Sequence, residues 1–303
     1  MTDNSIKITI FTPTYNRQKL LRRTFESLQK QTDTNFKWLI IDDGSEDDTR
    51  KEVERMITES KFNIAYIFQQ NGGKHRAHNT AVKNCDTEYM LILDSDDYLI
   101  DSAIANLNSK IRLIKNKKHI AGIIGNRINC SDGSIIGTAM PDIQYASGNE
   151  LYQKYGLKGD TLRLYKTSIL NNFLFPEIAG EKFIPENVVF DQIDKKYKLL
   201  VMKELLYVGE YQDVGYTNSI YQVHLKNPIG YALSLRSSAQ SAVTLKMKIG
   251  YLILYLMWCK KAKLTPAFEG TYDIFLRLLF KPITFILIKL KYPAFFFLHF
   301  ENT

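Results

Sequence analysis

Apolar positions change period repeatedly along the first hundred residues. Ile6–Phe11 is a short run rich in β-branched residues that gives way to Thr12-Pro13-Thr14-Tyr15-Asn16-Arg17, the pattern of a strand running into a loop. Leu20, Leu21, Phe25 and Leu28 then recur at helical spacing within Gln18–Gln31. Phe36–Ile41 is a second strand ending in Asp42-Asp43-Gly44-Ser45, and Asp47–Ser60 a helix with charges of both signs. Asn63–Phe68 is a third strand, Asn71-Gly72-Gly73-Lys74 a turn, and His75–Asn84 a helix with Ala77, Ala81 and Val82 inward. Tyr89–Leu93 is a fourth strand, ending in Asp94-Ser95-Asp96-Asp97.

Strands alternating with helices over residues 6–97 predict the α/β class, with a doubly wound, mainly parallel sheet. Ligands of such sheets bind beyond the carboxyl ends of the strands. Three polar clusters, Thr12–Arg17, Asp42–Ser45 and Asp94–Asp97, should therefore converge on one crevice. The pattern is less regular further on. It predicts a helix at Ser102–Lys115 and strands at Ala121–Gly125, Ser134–Thr138, Leu162–Tyr165 and Val201–Tyr211, with helical stretches at 239–262 and 270–300.

Composition narrows the class. The 303 residues are 45% hydrophobic and 24% charged, which allows a substantial core and excludes a disordered or collagenous chain. The net charge of +8 would suggest a polyanion partner, but its distribution does not. Residues 1–225 hold 29 basic and 29 acidic side chains, whereas residues 226–303 hold 11 and 3, together with 14 of the 37 aromatics. A neutral body with a basic, aromatic tail argues against nucleic acid. Cys85, Cys130 and Cys259 have neither zinc-ligand nor redox spacing, so free thiols are expected. The polar start, Met1–Ser5, suggests no signal peptide, and no apolar run approaches the ~20 residues of a membrane span.

Each cluster carries its own chemistry. Asp94 and Asp96 place two hard carboxylates at a strand end, a donor set for Mg²⁺ or Mn²⁺ that would also hold phosphate oxygens. An Asp-rich turn or a helix cap would produce the same residues. Asp42 and Asp43 can accept from a pyrimidine N–H or a ribose hydroxyl, and Lys74 on its glycine turn can reach a diphosphate. His75 and His78 lack a third ligand of their kind and fit polar residues at a helix start near the ligand. Glu181, Glu186 and Asp191 form a carboxylate cluster from which a general base for a sugar hydroxyl could come. No Gly-x-Gly-x-x-Gly or Walker loop occurs, which argues against a dinucleotide fold and a P-loop enzyme.

Taken together, four segments resemble the inverting glycosyltransferases of family 2, which have the GT-A fold. They are Thr12–Arg17, Asp42-Asp43-Gly44-Ser45-Glu46-Asp47, Gly72-Gly73-Lys74-His75-Arg76-Ala77-His78-Asn79 and Leu93-Asp94-Ser95-Asp96-Asp97. Order and spacing agree over residues 6–97. A looser likeness to bacterial surface-polysaccharide members continues to about residue 235, through Glu181–Asp191 and Asn227-Pro228-Ile229-Gly230. The resemblance implies a catalytic domain over 1–235, with a nucleotide-binding half to residue 98 and an acceptor half over 99–235, followed by a helical tail over 236–303. It implies that Pro13, Tyr15 and Arg17 line the nucleotide pocket and that Asp43 holds the base with Asp42 assisting. Lys74 would lie near ribose or diphosphate, Asp94 and Ser95 on the nucleotide sugar, and Asp96 with Asp94 on the metal, Mn²⁺ or Mg²⁺. The family's base usually lies in a Glu-Asp pair. Here the match is Glu186-Asn187, so Glu186 leads, with Asp191 and Glu181 behind it.

The implied function is metal-dependent transfer of a sugar, with inversion, from a nucleotide sugar (UDP-linked) to a hydroxyl of a glycan or lipid-linked acceptor. The alternatives are a sugar-1-phosphate nucleotidyltransferase, disfavoured because Thr12–Arg17 lacks glycine, and a non-catalytic scaffold of glycan assembly. Tyr251–Trp258 followed by Lys260, Lys261 and Lys263, and Arg277, Lys281, Thr284 and Lys291 on one face of the later stretch, suit a helix lying on anionic lipid. That implies a cytoplasmic protein, peripheral on the inner face of the membrane. A helical pair packed on the catalytic domain, or a homo-oligomer interface, would use the same residues.

Overall fold

The computed structural model describes residues 6–209 and 216–267. The first half follows the sequence pattern closely: β1 (Ile8–Thr14), α1 (Gln18–Gln29), β2 (Phe36–Asp42), α2 (Thr49–Glu59), β3 (Asn63–Phe68), α3 (Lys74–Asn84) and β4 (Tyr89–Ile92). Then come β5 (Tyr98–Leu99), α4 (Ala103–Ile114), β6 (Ile120–Asn129), β7 (Tyr145–Ala146), α5 (Gly148–Gln153), β8 (Thr161–Lys166) and α6 (Thr167–Leu170). The remaining elements are α7 (Asn187–Asp194), β9 (Lys198–Gly209), α8 (Tyr216–Lys226), α9 (Pro228–Ser241) and α10 (Leu245–Lys261).

The strands form one sheet in the order β3-β2-β1-β4-β8-β6-β9-β5, with β7 beside β9. β3, β2, β1 and β4 run parallel, β8 is antiparallel to both neighbours, and β6 and β9 are parallel again. Because side chains alternate along a strand, each face acquires its own core. Ile8 and Ile10 pack with Phe25 and Leu28 of α1, Met56 of α2 and Leu107 of α4 on one side. Phe11, Leu39 and Ile41 pack with Ala77 and Ala81 of α3 and Phe190 of α7 on the other. Each Ile, Leu, Met or Phe among them contributes roughly 1.5–3 kcal/mol on burial. Helices on both faces make the fold doubly wound, the expected α/β class.

The second half departs from the pattern in places. Ser134–Thr138 is no strand. Ile135 alone bridges Ile128, because Gly133 and Gly137 at positive φ break the extended run on either side. The helix α5 escaped the periodicity because it is short, although its capping box, Ser147 with Glu150, is written in the sequence. The expected helix over 239–262 is two: α9 runs through residue 235 and α10 folds back on it. Tyr231, Leu235, Leu254 and Trp258 form a small core between them, and the Tyr231 and Trp258 rings meet edge-on with centroids 4.8 Å apart. That packing uses much of the apolar stretch expected to face lipid. The stretch expected as helical over 270–300 lies outside the described residues. Among the described residues, no helix is long and apolar enough to cross a membrane.

Candidate functional site

The parallel register fixes where the chemistry goes. Thr14 of β1 pairs with Asp42 of β2, and Phe11 pairs with Ile92 of β4, so the loops after all three strands open at one edge. There they form a cleft of about 470 Å³ lined by Pro13, Tyr15, Arg17, Asp43, Lys74, Asp94, Ser95 and Asp96. The Asn16 side chain and backbone bind Ser45, Glu46 and Asp47, tying the first loop to the second.

The loop carrying Asp94 and Asp96 is clamped from beneath. Asp97 is buried and accepts two hydrogen bonds from Arg127 Nη2, at 2.7 and 2.8 Å. Tyr207 donates its hydroxyl to Asp97 at 2.8 Å and accepts the Asp94 N–H at 3.0 Å. Burial pushes the Asp97 carboxyl up to about 7, against Arg127 and with the Asp94 and Asp96 charges. On the α1 side Thr24 and Arg23 donate to the Asp97 and Asp96 carbonyls. The backbone is thereby fixed while the two outer carboxylates face the cleft. Arg127 and Tyr207 lie 30 and 110 residues from Asp97, so no local pattern announces them.

The paired aspartates of β2 separate into two roles. Asp42 is fully buried and takes the Ser45 N–H and the Tyr66 hydroxyl, at 2.8 and 2.6 Å, and it does not line the cleft. Both its oxygens serve the loop behind the site, which sets it apart from the assisting role expected at the nucleotide. Asp43 does line the cleft. Its oxygens accept from Gln69 Nε2, Asn71 Nδ2 and the backbone N–H groups of Gly72 and Gly73, holding the glycine turn against β2. Gly73 stands at φ 96°, and a Cβ there would lie 1.8 Å from the Lys182 carbonyl oxygen. No other residue fits, and the close approach brings the acceptor half to the donor turn.

Lys74 joins the halves. Its Nζ lies 2.7 Å from Asp94 Oδ1 and 2.9 Å from Glu186 Oε1. Burial lowers the pKa of Lys74, but the two carboxylates outweigh it and the net shift is upward. Lys74 in turn holds the Glu186 carboxyl below its ordinary value, against desolvation. Behind this bridge a second cavity, of about 360 Å³, shares Lys74 and Asp94 with the cleft and adds Glu186, His75, His78, Arg127 and Arg163.

The other two carboxylates of the expected base cluster go elsewhere. Glu181 is buried and accepts the N–H groups of Ile229 and Gly230 at 2.6 Å each, satisfying the start of α9. Both its oxygens hold the start of α9, and it lines neither the cleft nor the second cavity. Asp191 is buried in a neighbouring cavity between α7 and α9, away from Lys74 and Asp94, and burial raises its pKa to about 6. Asn187 has a structural reason to replace an Asp. Its Nδ2 donates to Ser238 Oγ at 3.0 Å and to the Ser234 carbonyl at 3.1 Å, and the second of these is a bond a carboxylate cannot make.

The donor set at the strand end suits a divalent cation of the Mg²⁺ type. Such ions take one or two carboxylates and complete their shell with water and substrate phosphate, and Asp94 and Asp96 are half-buried with carboxylates that, among the described residues, engage the cationic groups Lys74 and, at 3.9 Å, Arg17. Among the described residues no larger group of metal-ligating side chains occurs.

Comparison with known proteins agrees with this architecture. The family model for glycosyl transferase family 2 matches residues 9–173. A poly(ribitol-phosphate) beta-N-acetylglucosaminyltransferase, TarS of Staphylococcus aureus, is 29% identical over 233 residues, covering 70% of this chain. The chain spans only 38% of that protein's length. A GalNAc(5)-diNAcBac-PP-undecaprenol beta-1,3-glucosyltransferase of Campylobacter jejuni is 25% identical over 299 residues, covering 95% of this chain and 91% of its own. In structure, TarS 1–349 in complex with UDP-GlcNAc superposes with TM-score 0.62 at 21% identity, over 84% of this chain and 72% of that one. The mannosyltransferase PcManGT of Pyrobaculum calidifontis, in complex with GDP-Man and Mn²⁺, superposes with TM-score 0.57 at 14% identity, over 86% and 73%. These neighbours have the GT-A fold expected from the sequence. With more than half its length matched by the family model and the family's motifs gathered at one sheet edge, the chain belongs to glycosyl transferase family 2.

Proposed function

We propose that the protein transfers a sugar, with inversion, from a nucleotide sugar to a hydroxyl of a glycan or lipid-linked acceptor. The observation that carries this is the Lys74 bridge, which sets a carboxylate of the donor cleft and a candidate base of the adjoining cavity on one ammonium group. The nucleotide lies along Pro13, Tyr15 and Arg17, with Asp43 at the base; Asp43 contacts it by exchanging one of its four present donors. Asp94, Ser95 and Asp96 face ribose and diphosphate. The chemistry a divalent cation, Mn²⁺ or Mg²⁺, supplies when bound at Asp96 and Asp94 is neutralisation of charge on the leaving diphosphate.

Glu186 takes the acceptor proton. While Lys74 holds it ionised it is a poor proton acceptor, and an arriving diphosphate competes for that ammonium. Donor binding thus loosens the pair and raises the basicity of Glu186 when the acceptor must be deprotonated. One carboxylate suffices because the leaving group departs as a diphosphate. Support for a UDP donor and a surface-glycan acceptor comes from what the relatives are named for and hold, UDP-GlcNAc in TarS and an undecaprenol-linked glycan in the Campylobacter enzyme. The basic, aromatic composition after residue 225 supports contact with an anionic membrane surface from the cytoplasmic side.

The test is release of nucleoside diphosphate from UDP-, GDP- and dTDP-sugars with Mn²⁺ or Mg²⁺ and an undecaprenol-linked or polyol-phosphate acceptor. Release that depends on one UDP-sugar and on the metal is expected. Release from none of them contradicts the proposal and returns the scaffold alternative.

A further inference from the structure

Behind Lys74, α3 presents His75 and His78, one turn apart on the same face, to the cavity next to the donor cleft. They are only 3% and 4% exposed. Among the described residues, none of their four ring nitrogens has a hydrogen-bond partner. Packing accounts for the rings but not for the nitrogens. His78 lies edge-on to Phe175 with centroids 5.1 Å apart and to Phe11 at 5.9 Å, and His75 is edge-on to Phe175 at 6.3 Å. A phenylalanine would fill either place without burying polar atoms, which is costly when they stay unpaired.

The chemistry of these nitrogens is specific. Burial holds both imidazoles near a pKa of about 4, so at neutral pH each is uncharged, with one N–H donor and one bare acceptor nitrogen. A ligand group that both gives and takes a hydrogen bond matches such a ring, and a sugar hydroxyl is that group. Phosphate, which only accepts when ionised, matches poorly. Position selects the source of the sugar. The cavity meets the nucleotide cleft at Lys74 and Asp94, which line both, so a sugar on a diphosphate held in the cleft enters it first.

We infer that His75 and His78 hydrogen-bond the hydroxyl groups of the transferred sugar and help determine which sugar nucleotide is accepted. This rests on the glycosyl transfer proposed above. The experiment is calorimetric titration of the full chain with Mn²⁺ present, using UDP, UDP-glucose and UDP-N-acetylglucosamine, and GDP with GDP-mannose. It compares the unchanged protein with His78→Phe and His75→Phe, which keep an aromatic ring and remove the nitrogens. On the best-bound sugar nucleotide, His78→Phe should weaken binding roughly tenfold, the size of one lost hydrogen bond of the stronger kind. Binding of the matching free diphosphate should change less than twofold. His78→Gln, which restores a polar group, should recover part of the loss.

Equal weakening on diphosphate and sugar nucleotide would mean a merely structural role and overturn the inference. So would unchanged donor binding by both variants with a raised KM for acceptor, which would move the histidines to the acceptor. If His78→Phe fails to fold, His75→Phe carries the same comparison. Binding of neither nucleoside diphosphate would overturn the glycosyl-transfer proposal itself, a result separable from the others.

Discussion

The donor and acceptor sides of the site are built by different means. On the donor side, three parallel strands end at one edge, and chain order alone delivers Arg17, Asp43 and Asp96 to the cleft. On the acceptor side, Glu186 sits on a loop whose place depends on distant side chains. Asn79 of α3 accepts the Phe175 N–H and donates to its carbonyl, Asn227 accepts the Lys182 and Phe183 N–H groups, and Glu181 takes the start of α9. Strand ends tolerate loss of one loop contact because the sheet holds them. A loop held by a few bonds to a helix start does not. Changes on the acceptor side should therefore couple stability to base placement, whereas changes at Arg17 and Asp96 on the donor side should act on chemistry alone.

Glu186→Gln probes the comparison with the largest effect. It keeps the loop and removes the base, so kcat should fall by roughly 10²–10⁴, while nucleoside diphosphate, with Lys74 freed, should bind no more weakly than to the unchanged protein. A kcat within tenfold of the unchanged protein would remove Glu186 as base and send the search to Asp191. Glu181→Gln should act through the fold. An amide carries one acceptor oxygen where two N–H groups now find two, so unfolding free energy should drop by about 1–3 kcal/mol. No drop on chemical denaturation would mean that Glu181 does not hold that loop.

Asn187→Asp sharpens the same point, because it restores the Glu-Asp pair usual in the family. The new carboxylate would face the Ser234 carbonyl and Asp191. It should cost about 1–2 kcal/mol and raise transfer not at all. A gain in kcat would show that catalysis, not packing, decides this position.

A further effect is with pH. His75 and His78 titrate near about 4 when folded, below the ordinary ~6.5 of a free imidazole. Between those values the unfolded chain binds more protons. The stability these neutral rings carry is full above ~6.5 and drains as pH falls toward 4, on the order of 1–3 kcal/mol per ring. Urea midpoints measured from pH 7.5 to 4 should fall accordingly, and His78→Phe should flatten the curve. An identical slope in that variant would place the pH sensitivity elsewhere.

The same contrast explains what the sequence disclosed. The strand–helix alternation and the polar clusters after β1, β2 and β4 are local features, and the cleft assembled from them as expected. The split between Asp42 and Asp43 was not legible, because adjacent residues differ only in which way a strand end turns them. Glu181 and Glu186 look alike in a carboxylate-rich loop. Only the partner of Glu181, 48 residues on at Ile229, tells a helix-capping group from a base. Arg127 and Tyr207 stayed invisible for the same reason, since their partner Asp97 lies across the sheet.

The strand-end aspartates are the proposed diphosphate and metal site. Sugar transfer by Asp96→Ala, with circular dichroism matched to the unchanged protein, tests it most directly. Transfer should be abolished while the fold survives, since Asp96 meets the rest of the protein through its backbone carbonyl and one distant arginine. Full transfer by a folded Asp96→Ala protein would contradict it.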